Sequence, residues 1–437
     1  MMGYERVVKR SYTTLPTLIG IMMLDTAAGA QNIESSTPSI GSMFARDRTV
    51  TVTERVISGY SRQGVRVGAV IVRPEISAGV LLNDNLYATE NNRVADAALT
   101  ISPSVSAQLS GNTTTFNVVA DAQVNRYFSR DAENTSTYGV QGRGRHELGS
   151  GFWVSAAGVY RHQIERRSDP GAINISIRPI EYDLLDARGE LGWEQGRVRV
   201  SGYAGGGLLR FQDGALADGT VLVQDFRDRK TARANVQGDY ALSANMALRI
   251  QANFARSSYD SITSIDQLDR SSNRYELLGG ATFEFSDLLR GEVGLGYINQ
   301  KYDSPVFTAF SGFGGRVQIE YLPTRLTTLT LRASRTIEEA GIPLSPAFLR
   351  TAFTLTADHE LYRNFIVSGY VGYSSNAFRQ PTRSDRRPAL GVSGTYRFSD
   401  RVAVYGRYDY LDVTGRPEGL GRSLTLNAAS VGLNFGI

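Results

Sequence analysis

RKTARANVQGDYALSANMALRIQANFARSSY, residues 229–259, decides the fold. Apolar and polar side chains alternate through it twice, once on each side of a short polar turn centred on Ala244. On the first arm Ala232, Ala234, Val236 and Tyr240 share one face, and Arg229, Arg233, Gln237 and Asp239 the other. On the second arm Leu248, Ile250, Ala252 and Phe254 oppose Arg249, Gln251 and Asn253. Successive side chains of a strand point to opposite faces, so period two marks a strand that is apolar on one side and wet on the other.

The same unit recurs along the chain. Tight polar turns centre on Gly111, Ser150, Gly196, Ala244, Asp287, Pro323, Arg363 and Asp400, about 36 to 48 residues apart. Longer loops rich in Asp, Asn, Ser, Thr and Arg separate them, none exceeding about 13 residues. Strands are expected near 72–87, 96–109, 113–128, 136–149, 151–166, 179–194, 197–213, 225–242 and 245–259. Nine more follow near 272–286, 288–302, 311–322, 325–337, 348–361, 363–377, 386–398, 401–413 and 423–436. The pattern predicts an all-β chain, a closed antiparallel transmembrane β-barrel of about 18 strands, with 16 as the runner-up if the first hairpin is misread. A β-sandwich also alternates, but its strands are usually nearer 5–6 residues. Closure follows from the solvent, since an unpaired backbone group in hydrocarbon costs several kcal/mol and an open sheet edge is not viable there.

Composition agrees with that class. Hydrophobic residues make up 41% of 437 and mean hydropathy is −0.22. Beyond the N-terminus no run of 18 apolar residues exists, which excludes a helical membrane protein but not a barrel, whose strands face lipid with every second residue. There is no cysteine, hence no disulfide, Fe–S cluster or thiol nucleophile. The net charge of +4 is spread along the chain and is nearly all arginine, with lysine only at 9, 230 and 301. No nucleic-acid partner is expected. Residues 1–30 read as a signal peptide: Arg6, Lys9 and Arg10, an apolar core from Leu15 to Leu24, then Ala28-Gly29-Ala30. Residues 31–70 are expected to be a periplasmic N-terminal extension or a plug, and 71–437 the barrel.

Aromatic residues gather beside the short turns, at Phe152, Trp153, Trp193, Tyr240, Phe283, Phe285, Tyr321, Tyr362, Phe365, Tyr396 and Phe398. Such rings prefer the headgroup boundary, so they mark a periplasmic belt. Val431, Leu433, Phe435 and Ile437 share one face of the last strand and read as a membrane-insertion signal for the assembly machinery.

The stretch Arg73-Pro74-Glu75-Ile76 through Asn83-Asp84-Asn85-Leu86-Tyr87, with a partner strand Leu99 to Val105 and Thr53-Glu54-Arg55 upstream, resembles the barrel opening of one proteobacterial family. Its members are outer-membrane proteins of the β-barrel porin type 2 family. The resemblance implies an integral protein of the bacterial outer membrane, in contact with lipid and lipopolysaccharide. Some members occur with exopolysaccharide export genes, so polysaccharide export components are candidate partners.

Little points to catalysis. The three histidines, His146, His162 and His359, are far apart and in no metal-binding spacing. Acidic loop residues such as Asp84 and Glu90, or Asp260, Asp266 and Asp269, do not form a Ca²⁺ loop. Neither an enzyme, a metal site nor a cofactor is expected. By phase, a set of charged residues points into the lumen: Arg143, Arg145, Arg188, Glu190, Arg229, Arg233, Asp239, Arg249, Arg274 and Glu276. With them go Arg290, Glu292, Arg316, Glu320, Arg332, Asp358, Glu360, Arg397, Arg407 and Asp409. A barrel of this size encloses an aqueous channel. The expected function is a porin-like channel for small polar solutes or for export of polysaccharide, with weak selectivity tilted toward anions. The alternative is a non-conducting structural or assembly barrel of an envelope polysaccharide export system; the charges themselves can also do no more than pair across the wall and hold it rigid. With no long constriction loop, either the pore is open or residues 31–70 narrow it.

Overall fold

A computed structural model describes residues 50–172, 174–260, 268–286, 288–342, 345–417 and 421–437. The expected signal peptide, residues 31–49 of the extension and the turn centre Asp287 lie outside the described residues. Eighteen long strands follow one another. They are β1 (Val70–Asn83), β2 (Asp96–Ser110), β3 (Thr114–Tyr127), β4 (Thr135–Gly149), β5 (Phe152–Ile164) and β6 (Glu181–Gln195). Next come β7 (Val198–Phe211), β8 (Arg229–Ser243), β9 (Met246–Tyr259), β10 (Ser272–Phe285), β11 (Leu289–Tyr302) and β12 (Phe310–Thr324). The last are β13 (Thr327–Ile342), β14 (Ser345–Tyr362), β15 (Phe365–Arg379), β16 (Thr382–Arg397), β17 (Val402–Arg416) and β18 (Leu424–Gly436). Eighteen, not sixteen, is the strand number.

Each strand pairs antiparallel with its chain neighbours, and β1 pairs with β18 from Glu75↔Gly436 to Asn83↔Ala428, so the sheet closes on itself. The corner that carries the family resemblance sits on this seam. Asp84 accepts the backbone N–H and the side-chain amide of Asn427, each at 2.6 Å. Asn85 is fully buried and donates to the carbonyls of Thr89 and Thr425 at 2.7 and 2.8 Å. The short turns need special backbone: Gly149 and Gly151 sit at φ +92° and +83°, and a Cβ on Gly151 would lie 2.1 Å from the Glu194 carbonyl oxygen.

One face of the sheet is apolar and exposed, carrying for example Leu248, Ile250, Phe254, Leu277 and Val392. Aromatics bound it at both ends. Near the short turns stand the exposed rings of Phe152, Tyr240, Phe285, Tyr321, Tyr362, Tyr396 and Phe398. A second belt, absent from the sequence expectation, lies toward the long loops and includes Tyr138, Tyr275, Tyr297, Phe313 and Tyr373. From Tyr275 to Phe283 or Phe285, at about 3.3 Å per residue and a tilt near 40°, the band is roughly 20–25 Å tall, the height of a membrane barrel's apolar zone. Trp153 departs from the expected belt. Adjacent strand residues point opposite ways, so with Phe152 outward Trp153 turns inward, 5% exposed, beneath Arg145.

At the long-loop mouth the segment after β5, in its described residues 165–172 and 174–180, reaches the far wall. Arg387 of β16 donates to the Ser168 carbonyl at 2.8 Å, and Gly171 packs beside Ala340, Gly341 and Ile342 at the tip of β13. Those strands stand seven places from β5 and β6 around the ring. The expected loop at 338–347 is instead a continuation of β13 and β14. Ile337, Ala340, Ala347 and Phe348 there are buried together with Glu338 and Glu339, because the hairpin tip has protein on both faces and loses alternation.

Candidate functional site

The charged residues named from the sequence stand on the face opposite the exposed apolar set, since each is an odd number of residues from those side chains on its own strand. The structure joins most of them into pairs along the wall. Arg143 approaches Glu190 at 3.9 Å, and Glu190 accepts from the Ser155 hydroxyl at 2.9 Å. Arg145 pairs with Glu147 at 2.7 Å. Arg188 lies over the ring of Tyr203 and Arg229 over that of Tyr259, a contact that favours a guanidinium. Arg233 is ion-paired with Asp186. Arg249 bridges Asp239 at 2.6 Å and Glu292 at 2.8 Å.

Further round, Arg274 donates to Gln300 at 3.0 Å and Glu339 at 3.4 Å. Arg316 meets Glu276 at 3.3 Å, Arg290 meets Glu320 at 2.5 Å, and Arg407 meets Asp409 at 2.5 Å. Arg332 reaches only Gln318, at 3.4 Å, among the contacts described. Asp358 accepts from Ser368 at 2.5 Å. Arg397 stands in the field of Arg62, Glu360 and Glu75. The proposed insertion residues Val431, Leu433, Phe435 and Ile437 are all exposed on the outer face of the chain's last stretch. The histidines stay apart: His146 contacts Thr114, His359 contacts Thr327, and His162 contacts Asp183.

Two groups of contacts were not legible in the sequence. At the short-turn end the chain before β1 crosses the barrel. Arg62 pairs with Glu75 of β1 at 2.6 Å, while Glu54 pairs with Arg290 of β11 at 3.4 Å and Arg55 with Glu360 of β14 at 2.8 Å. The buried Val52 donates its backbone N–H to Thr328 of β13 at 3.1 Å. So residues 50–62 hold three wall charges, Glu75, Arg290 and Glu360. At the other end Arg227, from the 3₁₀ turn Asp225–Arg227, is ion-paired with Glu165 and lies 3.7 Å above Phe211. Arg167 is ion-paired with Glu133, and Arg422 donates to the carbonyls of Ala88 and Arg167 at 2.8 Å each. Arg270 donates to the Ile342 carbonyl at 2.8 Å. Glu133, Glu165, Arg167 and Arg227 are loop charges buried in pairs, while Arg270 and Arg422 are held by backbone carbonyls. The only sequence signal was charge where a solvated loop needs none, since a buried charge survives only with a partner. Within this cap burial pushes the Asp169 carboxyl up to about 7, with Arg166 and Arg387 opposing the shift.

Comparison with known proteins places the chain. No curated protein matches it. Solved structures are similar over most of the length. OccAB3 of Acinetobacter baumannii is 9% identical, covering 85% of this chain and 100% of its own, with a TM-score of 0.44. OccK3 (OpdO) of Pseudomonas aeruginosa is 11% identical, covering 85% and 96%, with a TM-score of 0.45. The ferric enterobactin receptor PfeA of Pseudomonas aeruginosa, as an R480A/Q482A mutant, is 7% identical, covering 84% and 80%, with a TM-score of 0.43. Residues 58–435 match a family model, and the chain belongs to that family, described as "Putative beta-barrel porin 2".

Proposed function

We propose that this barrel is an integral outer-membrane channel, passive and porin-like, for small polar solutes. Its short turns and both termini would face the periplasm and its long loops the exterior. The observation that carries the reading is the pairing of a closed 18-strand wall, apolar outside over roughly a bilayer's height, with an inner face of alternating Arg and Asp/Glu. Opposed charges set a transverse field across water without strong ion selectivity. Residues 50–62 and the cap at 165–180 would narrow the two mouths. Lipid and lipopolysaccharide are the expected surroundings, the outer-membrane assembly machinery the expected insertion partner, and no catalytic role is assigned. Purified, heat-modifiable protein in a planar bilayer should give discrete current steps with a reversal potential near zero or tilted toward anions. Strong cation preference would refute it.

The two crossed mouths favour a second reading, a non-conducting assembly barrel for polysaccharide export. Electrical silence together with co-purification of export components would favour it.

A further inference from the structure

Register turns single arginines into a path. Arg143 of β4 is the cross-strand partner of Ala157, and Ala157 that of Arg188 on β6. Arg188 faces Gly205, which faces Arg233 on β8. Arg233 faces Ala255, which faces Arg274 on β10. Every second strand in this unbroken line carries an arginine, and every strand between carries only Ala or Gly. A second line joins Arg249, Arg316 and Arg387, with only Gly, Ala or Ser at the five positions between them.

Such a line is not level. With strands tilted about 40° and spaced about 4.8 Å, successive arginines of the first line lie about 10 Å apart along the wall and roughly 6 Å apart in height. Arg143 stands six residues from the short-turn end of β4, and Arg274 two residues from the long-loop end of β10. The row therefore climbs from mid-barrel to the rim, and the small residues between leave each guanidinium unscreened by a neighbour on the same line.

Carboxylates balance the formal charge: Asp186 and Glu190 flank Arg188 on its own strand. Balance is not what the water meets. Side-chain exposure is 44% for Arg143 against 21% for its partner Glu190, and 32% for Arg316 against 7% for Glu276. Arg274 keeps 21% against 4% for Glu339. In these pairs the longer arginine reaches past the acid, and Arg233, at 10% against 5% for Asp186, keeps the same order. The second line does not keep this order: Arg249, at 11%, lies behind Glu292 at 27%, and Arg387 is buried against Ser168; elsewhere Asp121 is more exposed than Arg161.

We propose that the first row, from Arg143 to Arg274, is an anion staircase, a track along which solutes bearing carboxylate or phosphate groups pass from one guanidinium to the next. The guanidinium fork suits both groups, because two parallel N–H donors match two oxygens. The inference rests on the channel reading.

It is tested on the full-length protein in planar bilayers, by reversal potential in a KCl gradient and by block with added citrate. The variants are Arg143→Gln/Arg188→Gln and Ala157→Glu, which sets an acid between two steps. Ala156→Leu, on the outer face, is the control. Removing one unit charge about 7 Å from the path in water changes local anion concentration about threefold. The double variant and Ala157→Glu should each weaken citrate block by at least that factor and shift the reversal potential away from anions, with Ala156→Leu unchanged. Current in the wild type with no anion preference, or block unaltered in both variants, overturns the staircase and leaves the channel standing. No current from folded wild-type protein overturns the channel reading, and the staircase with it.

Discussion

Arg227→Met removes one charge from the cap while keeping the unbranched stem that packs over Phe211. The guanidinium side chain is 3% exposed and its partner Glu165 is 9% exposed, so the pair is dry and solvent screening is small. Leaving one member of such a pair buried and alone costs about 3–5 kcal/mol. At 1.4 kcal/mol per factor of ten, the ratio of closed to open cap should fall by roughly a hundredfold to a thousandfold. The barrel has eighteen paired strands that do not use this contact, so the effect should stay in residues 165–180. Limited trypsin digestion reads it directly, because Arg166 and Arg178 lie in that segment. Cleavage at Arg166 should speed up by about two to three orders of magnitude, the open-channel current should rise, and heat-modifiability should not change. Adding Glu165→Gln to Arg227→Met should recover part of the protection by removing the stranded charge. Unchanged cleavage and current in Arg227→Met would refute the assignment of this pair as the clamp of the cap.

Three further outcomes are expected. Asp169, raised to about 7 by burial and facing Arg166, Glu165, Tyr182, Arg387 and Arg422, takes up a proton when the cap closes. Closure is therefore favoured below neutrality and lost as pH rises through about 7; current should grow between pH 5.5 and 8.5, and Asp169→Asn should abolish that dependence. Deleting residues 50–62 removes a segment about 10 Å wide from a lumen whose free diameter is on the order of 25 Å for eighteen tilted strands, so conductance should rise up to about twofold; no change would show that the segment does not narrow the path. Gly192→Leu would place a Cβ 2.2 Å from the Trp153 ring, and such overpacking costs about 1–3 kcal/mol, read as a lower temperature for loss of the compact band on gels.

The strands were legible because alternation is local. Leu248, Arg249 and Ile250 announce two faces without reference to any other part of the chain, and the register that follows places Arg143 and Arg188 on one line. The mouths were not legible, for a physical reason. Glu165, Arg167 and Arg387 look in sequence like solvated charge, and only the curvature of a closed ring brings residues 165–180 to β16. The tip of β13 and β14 looks like a loop in sequence because Thr336-Ile337-Glu338-Glu339-Ala340-Gly341-Ile342 has no two-residue period, and it has none because both of its faces are buried. Trp153 sits beside a turn like the belt aromatics, but strand phase sends it inward. The contacts of residues 50–62 with Arg290 and Glu360 are not legible either, because they need the opposite wall.

A water-filled path through the charged lumen should show itself in single-channel recording of the purified, heat-modifiable protein. Discrete, reproducible current steps that enlarge when residues 50–62 are removed are the predicted result. Silence from correctly folded protein, persisting after both that deletion and Arg227→Met, would contradict it.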